Sequence, residues 1–358
     1  MKTLIIAEAG VNHNGSLAMA KQLVDVAKTA GADIIKFQSF KATNLVSENS
    51  AKAAYQIQNT GNSESQFTML QALELTEAEH IALYQYCLAK EIIFLSTPFD
   101  NESLQMLNKN FEMPFIKIPS GEINNAPFLL EIARTQKKVI LSTGMSLLGE
   151  VEFALAVLAF GYLCQLLPKD KNDFWQAYNS IEGQEILRAK VSLLHCTTEY
   201  PAPYGDVNLK AMDTMAQAFG LPVGFSDHTA GIAVPIAAVA RGAKIVEKHF
   251  TLDKNLPGPD HKASLDPVEL QQMVEGIRQV EQALGSSLKK PSARELDNKK
   301  IVRKTLVAAC AISCGEKFTR ENIAIKRSGS FGLEPCNYWN LLGQTARKNY
   351  SKDSVLEL

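Results

Sequence analysis

Through residues 1–284, short apolar runs alternate with longer stretches whose apolar residues recur every three or four positions, the periods of strands and helices. The run 4–8 closes on a carboxylate, Glu8, and a turn-rich loop follows over 10–15. Leu17, Ala20, Leu23, Val24 and Ala27 then mark a helix that Gly31 caps. A strand over 34–38 ends in polar groups, and the excursion 39–75 is longer than a barrel loop needs. Its mixture of Lys41, Asn44, Lys52, Tyr55, Gln56, Asn59 and Gln66 predicts a segment that covers a substrate. Helix 76–90 opens with Thr76 and Glu79 at capping-box spacing. Strands starting near 92, 115, 139 and 191 alternate with helices over 101–110, 126–135, 147–160 and 207–219. The polar stretch 168–183 reads as an exposed insertion rather than a core element. Two further strands, 223–228 and 244–249, flank a helix over 232–241, and the helix 265–284 closes the series.

Eight strand–helix units in alternation are the makeup of a (β/α)8 TIM barrel. The polar residues support that reading more strongly than the count. Nearly every strand ends in groups a buried strand should not carry: Glu8, Lys36 and Gln38, Thr97, Lys117, Ser142, Thr198, Ser226 with His228, and Glu247 with His249. A shared mouth at the C-terminal face of a barrel solvates all of them. An open doubly wound sheet would concentrate such groups at one switch point, and no Gly-x-Gly-x-x-Gly loop follows any strand.

The last two strands end in His228 and His249, one strand–helix–strand step apart. One histidine closing a strand is ordinary; two at matching positions, flanked by Ser226, Asp227, Glu247, Lys248 and Asp260, predict a site. Two neutral imidazoles leave open positions for water and substrate on a divalent ion such as Mn²⁺, Co²⁺, Fe²⁺ or Zn²⁺, which polarises a carbonyl. Lys36 and Lys117 with the hydroxyls of Thr97, Ser142 and Ser226 suit a small phosphate or carboxylate. Metal, phosphate and carbonyl together mean carbon–carbon or phosphoryl chemistry on a small metabolite.

Composition adds limits. With 37 basic and 38 acidic residues and a net charge of −1, no global field draws the 358-residue chain to nucleic acid or membrane. The six cysteines form no C-x-x-C pair; Cys310 and Cys314 are a lone C-x-x-x-C and read as reduced thiols. No signal peptide opens the sequence and no apolar run approaches a membrane span, so a soluble cytoplasmic protein is expected. After the barrel domain 1–284 the pattern changes. Residues 285–300 read as a polar linker, and 301–358, with short β segments over 306–312 and 323–329, as a small second domain.

Ordered motifs then carry a resemblance over nearly the whole chain. They include Glu8 to Gly15, Lys36-Phe37-Gln38, Ser96-Thr97-Pro98-Phe99, Lys117 to Glu122, Ser142-Thr143-Gly144, His195 to Pro201, Phe225 to His228, Glu247 to Phe250 and Gly258-Pro259-Asp260. The sequence resembles the N-acetylneuraminate (sialic acid) synthase family, legionaminic acid synthases included, and its tail resembles that family's antifreeze-like (SAF) domain. The resemblance implies condensation of phosphoenolpyruvate with N-acetylmannosamine and water to give N-acetylneuraminate and phosphate. The alternative product is N,N′-diacetyllegionaminate, from 2,4-diacetamido-2,4,6-trideoxymannose. By motif, His228 and His249 hold Mn²⁺ (or Mg²⁺ or Co²⁺) and are catalytic with Glu8. Phosphoenolpyruvate falls to Lys36, Thr97, Lys117, Ser120, Ser142, Thr198 and Ser226. Gln38, Glu122, Tyr200 and Asp260 face the sugar, and Arg327 reaches it from the partner in a domain-swapped homodimer. Ser328 stands where family members often carry proline, and Thr198 where some carry Asn. A two-histidine metallohydrolase barrel, or a carbohydrate-binding module built on the tail, is the rival reading from other classes.

Overall fold

The computed structural model describes every residue except 1, 49, 53 and 62–64. The side chain of Tyr55, counted above among the polar groups of the excursion, also lies outside the described residues. The chain divides into two compact units, Met1–Gly285 and Ser286–Leu358.

In the first unit eight parallel strands run β1 Leu4–Gly10, β2 Ile34–Ser39, β3 Ile93–Pro98, β4 Phe115–Ile118, β5 Lys138–Ser142, β6 Val191–Cys196, β7 Val223–Asp227 and β8 Ile245–His249. Their order is β3-β2-β1-β8-β7-β6-β5-β4, and the two end strands lie side by side, so the sheet curls into a near-closed TIM-type barrel. Because every ladder is parallel, all eight C-terminal ends share one rim. The register aligns the chemistry there: Glu8 sits opposite both Lys36 and His249, Gln38 opposite Thr97, and Ser226 opposite Glu247.

The helices form for the reasons visible in their sequences. Leu17–Ala30 buries Ala20, Leu23, Val24, Ala27 and Ala30 and ends at Gly31, whose left-handed φ of 81° a side chain would resist. Thr76 and Glu79 close a reciprocal capping box on Glu77–Ala89, and Asp266 and Glu269 do the same on Pro267–Leu284.

Three stretches carry more structure than the sequence pattern predicts. The segment 168–183 is exposed along much of its length, yet it is helical: Lys171–Asn179 and Ile181–Lys190 pack one side on Leu148–Leu163. That helix is apolar almost all round, so one side seats on the barrel and the rest needs a cover. Phe174 supplies it, edge-on to Phe153 and Phe160 at centroid distances of 5.9 and 5.4 Å. The polar surface of the two added helices hid this packing in the sequence. The excursion after β2 carries the short helices Ala42–Leu45, Ala54–Thr60 and Gln66–Gln71. In the second unit, the stretch read as linker holds a helix, Ala293–Val302, started by a Ser292–Glu295 capping box and buried nowhere along its length. Beyond it, β9 Thr305–Ala308 pairs antiparallel with β10 Ile323–Lys326. Leu306, Ile312, Phe318, Leu341 and Leu356 make a separate small core beneath them.

Candidate active site

The rim of the barrel opens on a cavity of about 340 Å³, within the size range of small-molecule sites. Its floor is a buried cluster of two lysines and two carboxyl groups. Lys36 Nζ lies 2.9 Å from Glu8 Oε2 and 3.6 Å from Glu247 Oε2, and Lys117 Nζ lies 3.4 Å from Glu247 Oε1. Lys36 also donates to Thr97 Oγ1 at 2.9 Å, Gln38 Nε2 to Glu8 Oε1 at 3.2 Å, and Ser226 Oγ to Glu247 Oε1 at 3.1 Å. All four residues are 4% exposed or less, so none is a rim charge in bulk water.

The environment splits the two carboxyls. Burial pushes Glu8 above the usual carboxylate range, and repulsion from Glu247 adds to it. Contact with Lys36 would by itself hold Glu8 down, but the loss of water outweighs it. Glu247 meets the same burial penalty, yet Lys117 and Lys36 together overcome it and hold this carboxyl low. One carboxyl is thus suited to carry a proton and the other to stay ionised. Burial lowers Lys117 against the pull of Glu247, whereas for Lys36 the attraction of Glu247 and Glu8 exceeds the burial penalty.

Above the floor stand the two histidines, with ring centroids 5.7 Å apart. His228 Nδ1 donates to the Thr197 carbonyl at 2.6 Å, which fixes the tautomer and leaves Nε2 with its lone pair. His249 follows from a tight approach: a side chain on Gly10, at φ 54°, would come within 3.2 Å of the imidazole. Burial lowers the pKa of both, and for His249 the neighbouring His228 and Lys36 reinforce it, so both are neutral bases. The Tyr200 ring lies over His228 at 4.2 Å and meets His249 at 5.7 Å. Asp260 Oδ2 is 4.0 Å from His249 Nδ1, and burial raises this carboxyl to about 6. The Asp260 backbone is anchored by Ser264, whose hydroxyl donates to the Asp260 carbonyl at 2.7 Å and accepts from Asn12 Nδ2 at 2.9 Å.

Most sequence-predicted residues therefore meet. Glu8, Lys36, Gln38, Thr97, Lys117, Ser120, Ser142, Thr198, Tyr200, Ser226, His228, His249 and Asp260 all line the one cavity. Glu122 does not; it accepts from Asn125 Nδ2 at 2.7 Å, at the start of the helix Ala126–Arg134. Arg327 belongs to the second unit and is exposed there, just after β10. Glu247 was the residue the sequence undervalued. Its position two residues before His249 places it on the same strand face, a signal that was available. Cys196, 3.1 Å from Ser120 Oγ, was not separable from an ordinary buried thiol.

The donor set fits a divalent ion. His249 Nδ1 and Ser142 Oγ are buried without a hydrogen-bond partner. Among the described residues no group of three His, Cys, Asp or Glu side chains converges as a ready-made metal site. Two imidazoles with further positions left to water and substrate is the arrangement that remains.

A barrel rim that joins paired lysines, hydroxyls and two neutral imidazoles defines a class of enzyme that handles a small anion and a carbonyl together. Comparison with known proteins gives the family. Residues 23–289 match the NeuB family model, and the chain belongs to that family. It is 50% identical over 355 residues, 99% of either chain, to the N,N′-diacetyllegionaminic acid synthase of Campylobacter jejuni. It is 44% identical to the enzyme of the same name from Legionella pneumophila, over 99% of this chain and 94% of that one. Among solved structures, the N-acetylneuraminic acid synthetase of Leptospira borgpetersenii matches with a TM-score of 0.66 and 30% identity, covering 84% of this chain and 93% of that one. The chain is accordingly a carbon–carbon bond-forming enzyme that uses phosphoenolpyruvate, of the class that makes nonulosonic acids. Synthases of this family are generally metal-dependent. Among the described residues no helix is long and apolar enough to cross a membrane.

Proposed function

We propose that the chain is an N,N′-diacetyllegionaminic acid synthase, which joins phosphoenolpyruvate to 2,4-diacetamido-2,4,6-trideoxymannose. The observation that carries the anion half of this reading is the cavity floor, where Lys36 and Lys117 are buried beside Thr97, Ser142 and Ser226. A metallohydrolase would not need those lysines. The sugar half rests on full-length likeness to two synthases of that name. It takes the place of N-acetylmannosamine, the sugar expected from the motifs alone, because the relatives of that name match over 99% of this chain.

In this reading the lysines and hydroxyls, with Ser120 and Thr198, hold the phosphate and carboxylate of phosphoenolpyruvate by charge-assisted hydrogen bonds. His228 and His249 hold a divalent ion, for which Mn²⁺ is our first choice; when bound it polarises the aldehyde oxygen of the sugar. Gln38, Tyr200 and Asp260 orient the sugar. In the reaction C3 of phosphoenolpyruvate bonds to the aldehyde carbon, the aldehyde oxygen gains a proton, water adds its oxygen at C2, and phosphate leaves. Glu8, in the floor beside Lys36 and Gln38 with its proton affinity raised by burial, is the group we assign to proton transfer during these steps. Arg327 reaches the sugar from the partner in a homodimer that exchanges tail domains.

The test incubates purified protein and Mn²⁺ with phosphoenolpyruvate and each sugar in turn, following phosphate release and product mass. Faster release with the diacetamido sugar supports the assignment. Equal or faster turnover of N-acetylmannosamine overturns the choice of sugar, and phosphate release that needs no sugar overturns the synthase reading.

A further inference from the structure

The charged floor is only one part of the cavity surface. Opposite in character is an apolar wall, built where the excursion after β2 folds back over the rim. Val11, Phe40, Met69 and Leu73 are buried in a small cluster of their own, apart from the main core of the barrel. Leu45, Leu70 and Phe99 pack against that cluster while remaining half-exposed, and all seven line the cavity. Among the described residues, the excursion adds only two hydrogen-bonding side chains to this lining, Gln56 and Gln66. Both are carboxamides, and Gln66 Nε2 donates to Gln56 Oε1 at 3.3 Å.

Such a wall is badly matched to a polyhydroxylated sugar tail. A hydroxyl pressed against Leu45, Leu70 or Phe99 gives up water and finds no partner. A methyl group there gains contact, and a carboxamide pair is the natural neighbour of an acetamido group, which has the same donor and acceptor. Resting on the function proposed above, we propose that this wall is the specificity device of the enzyme. Leu45, Leu70 and Phe99 receive the deoxygenated C6 end of the sugar, and Gln56 with Gln66 faces its second acetamido group. The polarity of the sugar is thereby read at the end remote from the aldehyde, by surfaces that touch neither phosphoenolpyruvate nor the imidazoles.

An apolar pocket rejects an added hydroxyl by only about a hundredfold, because the hydroxyl is unpaired rather than excluded by size. The native enzyme should therefore prefer the 2,4-diacetamido-6-deoxy sugar to N-acetylmannosamine by roughly that factor or more in kcat/KM. Leu70→Gln, and separately the smaller change Phe99→Tyr, each offer the C6 hydroxyl a partner. Either should shrink the ratio of the two kcat/KM values about tenfold, through the KM of the sugars, with phosphoenolpyruvate half-saturation unmoved. Folding of each variant is checked by circular dichroism; Phe99→Tyr adds one oxygen at a half-exposed position and keeps the test valid should Leu70→Gln misfold. A ratio unchanged in a variant that still releases phosphate overturns the role of the wall while leaving the proposed function standing. A native enzyme that turns over neither sugar overturns the proposed function itself, and a native enzyme that favours N-acetylmannosamine overturns both.

Discussion

Lys248→Met gives the sharpest test of how the two histidines are held. Lys248 and Asp227 adjoin His249 and His228 in sequence, and their side chains pair at 2.7 Å with no exposure on either. Lys248 also donates to the Thr229 carbonyl, while Asp227 accepts from the Thr229 amide at 2.9 Å and its hydroxyl at 3.2 Å. The pair thus ties the end of β8 to the turn that presents His228. Removing one partner of a buried pair leaves an uncompensated charge and costs about 3–5 kcal/mol, a large fraction of the roughly 5–15 kcal/mol that stabilises a domain. Replacing both by apolar residues, as in Asp227→Leu with Lys248→Met, removes the stranded charge. That double variant still forfeits the hydrogen bonds to Thr229, at about 1 kcal/mol each, so its cost should fall below that of the single change. The two tryptophans lie in different units, Trp175 in the barrel and Trp339 in the tail. Urea unfolding followed by Trp175 fluorescence, in a Trp339→Phe background, therefore reports on the barrel alone. Metal affinity measured by calorimetry should fall in both variants, because the turn bearing His228 loses its tie. A single variant that loses less than about 1 kcal/mol, or a double variant worse than the single, would refute the argument.

Four other outcomes are expected. His228→Ala or His249→Ala should abolish turnover and metal binding with little change in circular dichroism, and chelated wild-type enzyme should recover on addition of Mn²⁺; full activity after chelation would remove the metal role. Lys36→Ala and Lys117→Ala should raise phosphoenolpyruvate half-saturation roughly ten- to hundredfold, the value of a charge-assisted contact, and an unchanged dependence would show that neither holds the anion. Burial, with His80 adding repulsion, lowers His13 from 6.5 to about 4, so the unfolded chain binds its proton first. Stability from this group is complete above pH 6.5 and lost as the pH falls toward 4, so His13→Asn should flatten the acid side of the urea-midpoint profile. Mixed subunits of Arg327→Ala and His228→Ala should regain activity if Arg327 acts across a dimer, and proven heterodimers that stay inactive would place it elsewhere.

The sequence by itself determined the barrel, since eight apolar runs with polar ends have few other ways to satisfy their polar groups. It also placed the lysines and histidines on one rim, because parallel strands share their C-terminal edge. Local chemistry set the capping boxes at Thr76 and Asp266 and the left-handed turn at Gly31. Tertiary structure decided what depends on neighbours far along the chain. Whether Lys36 meets Glu8 or solvent is a matter of burial, and its second partner Glu247 arrives from the last strand. The helices Lys171–Asn179 and Ile181–Lys190 look like surface until the largely apolar helix beneath them is seen to need covering. Glu122 shares a motif with Lys117 and Ser120, yet the turn after β4 carries its side chain to Asn125 instead of the cavity. The apolar wall needed residues from three loops to meet before it became a surface at all, and no spacing within one segment records such a meeting.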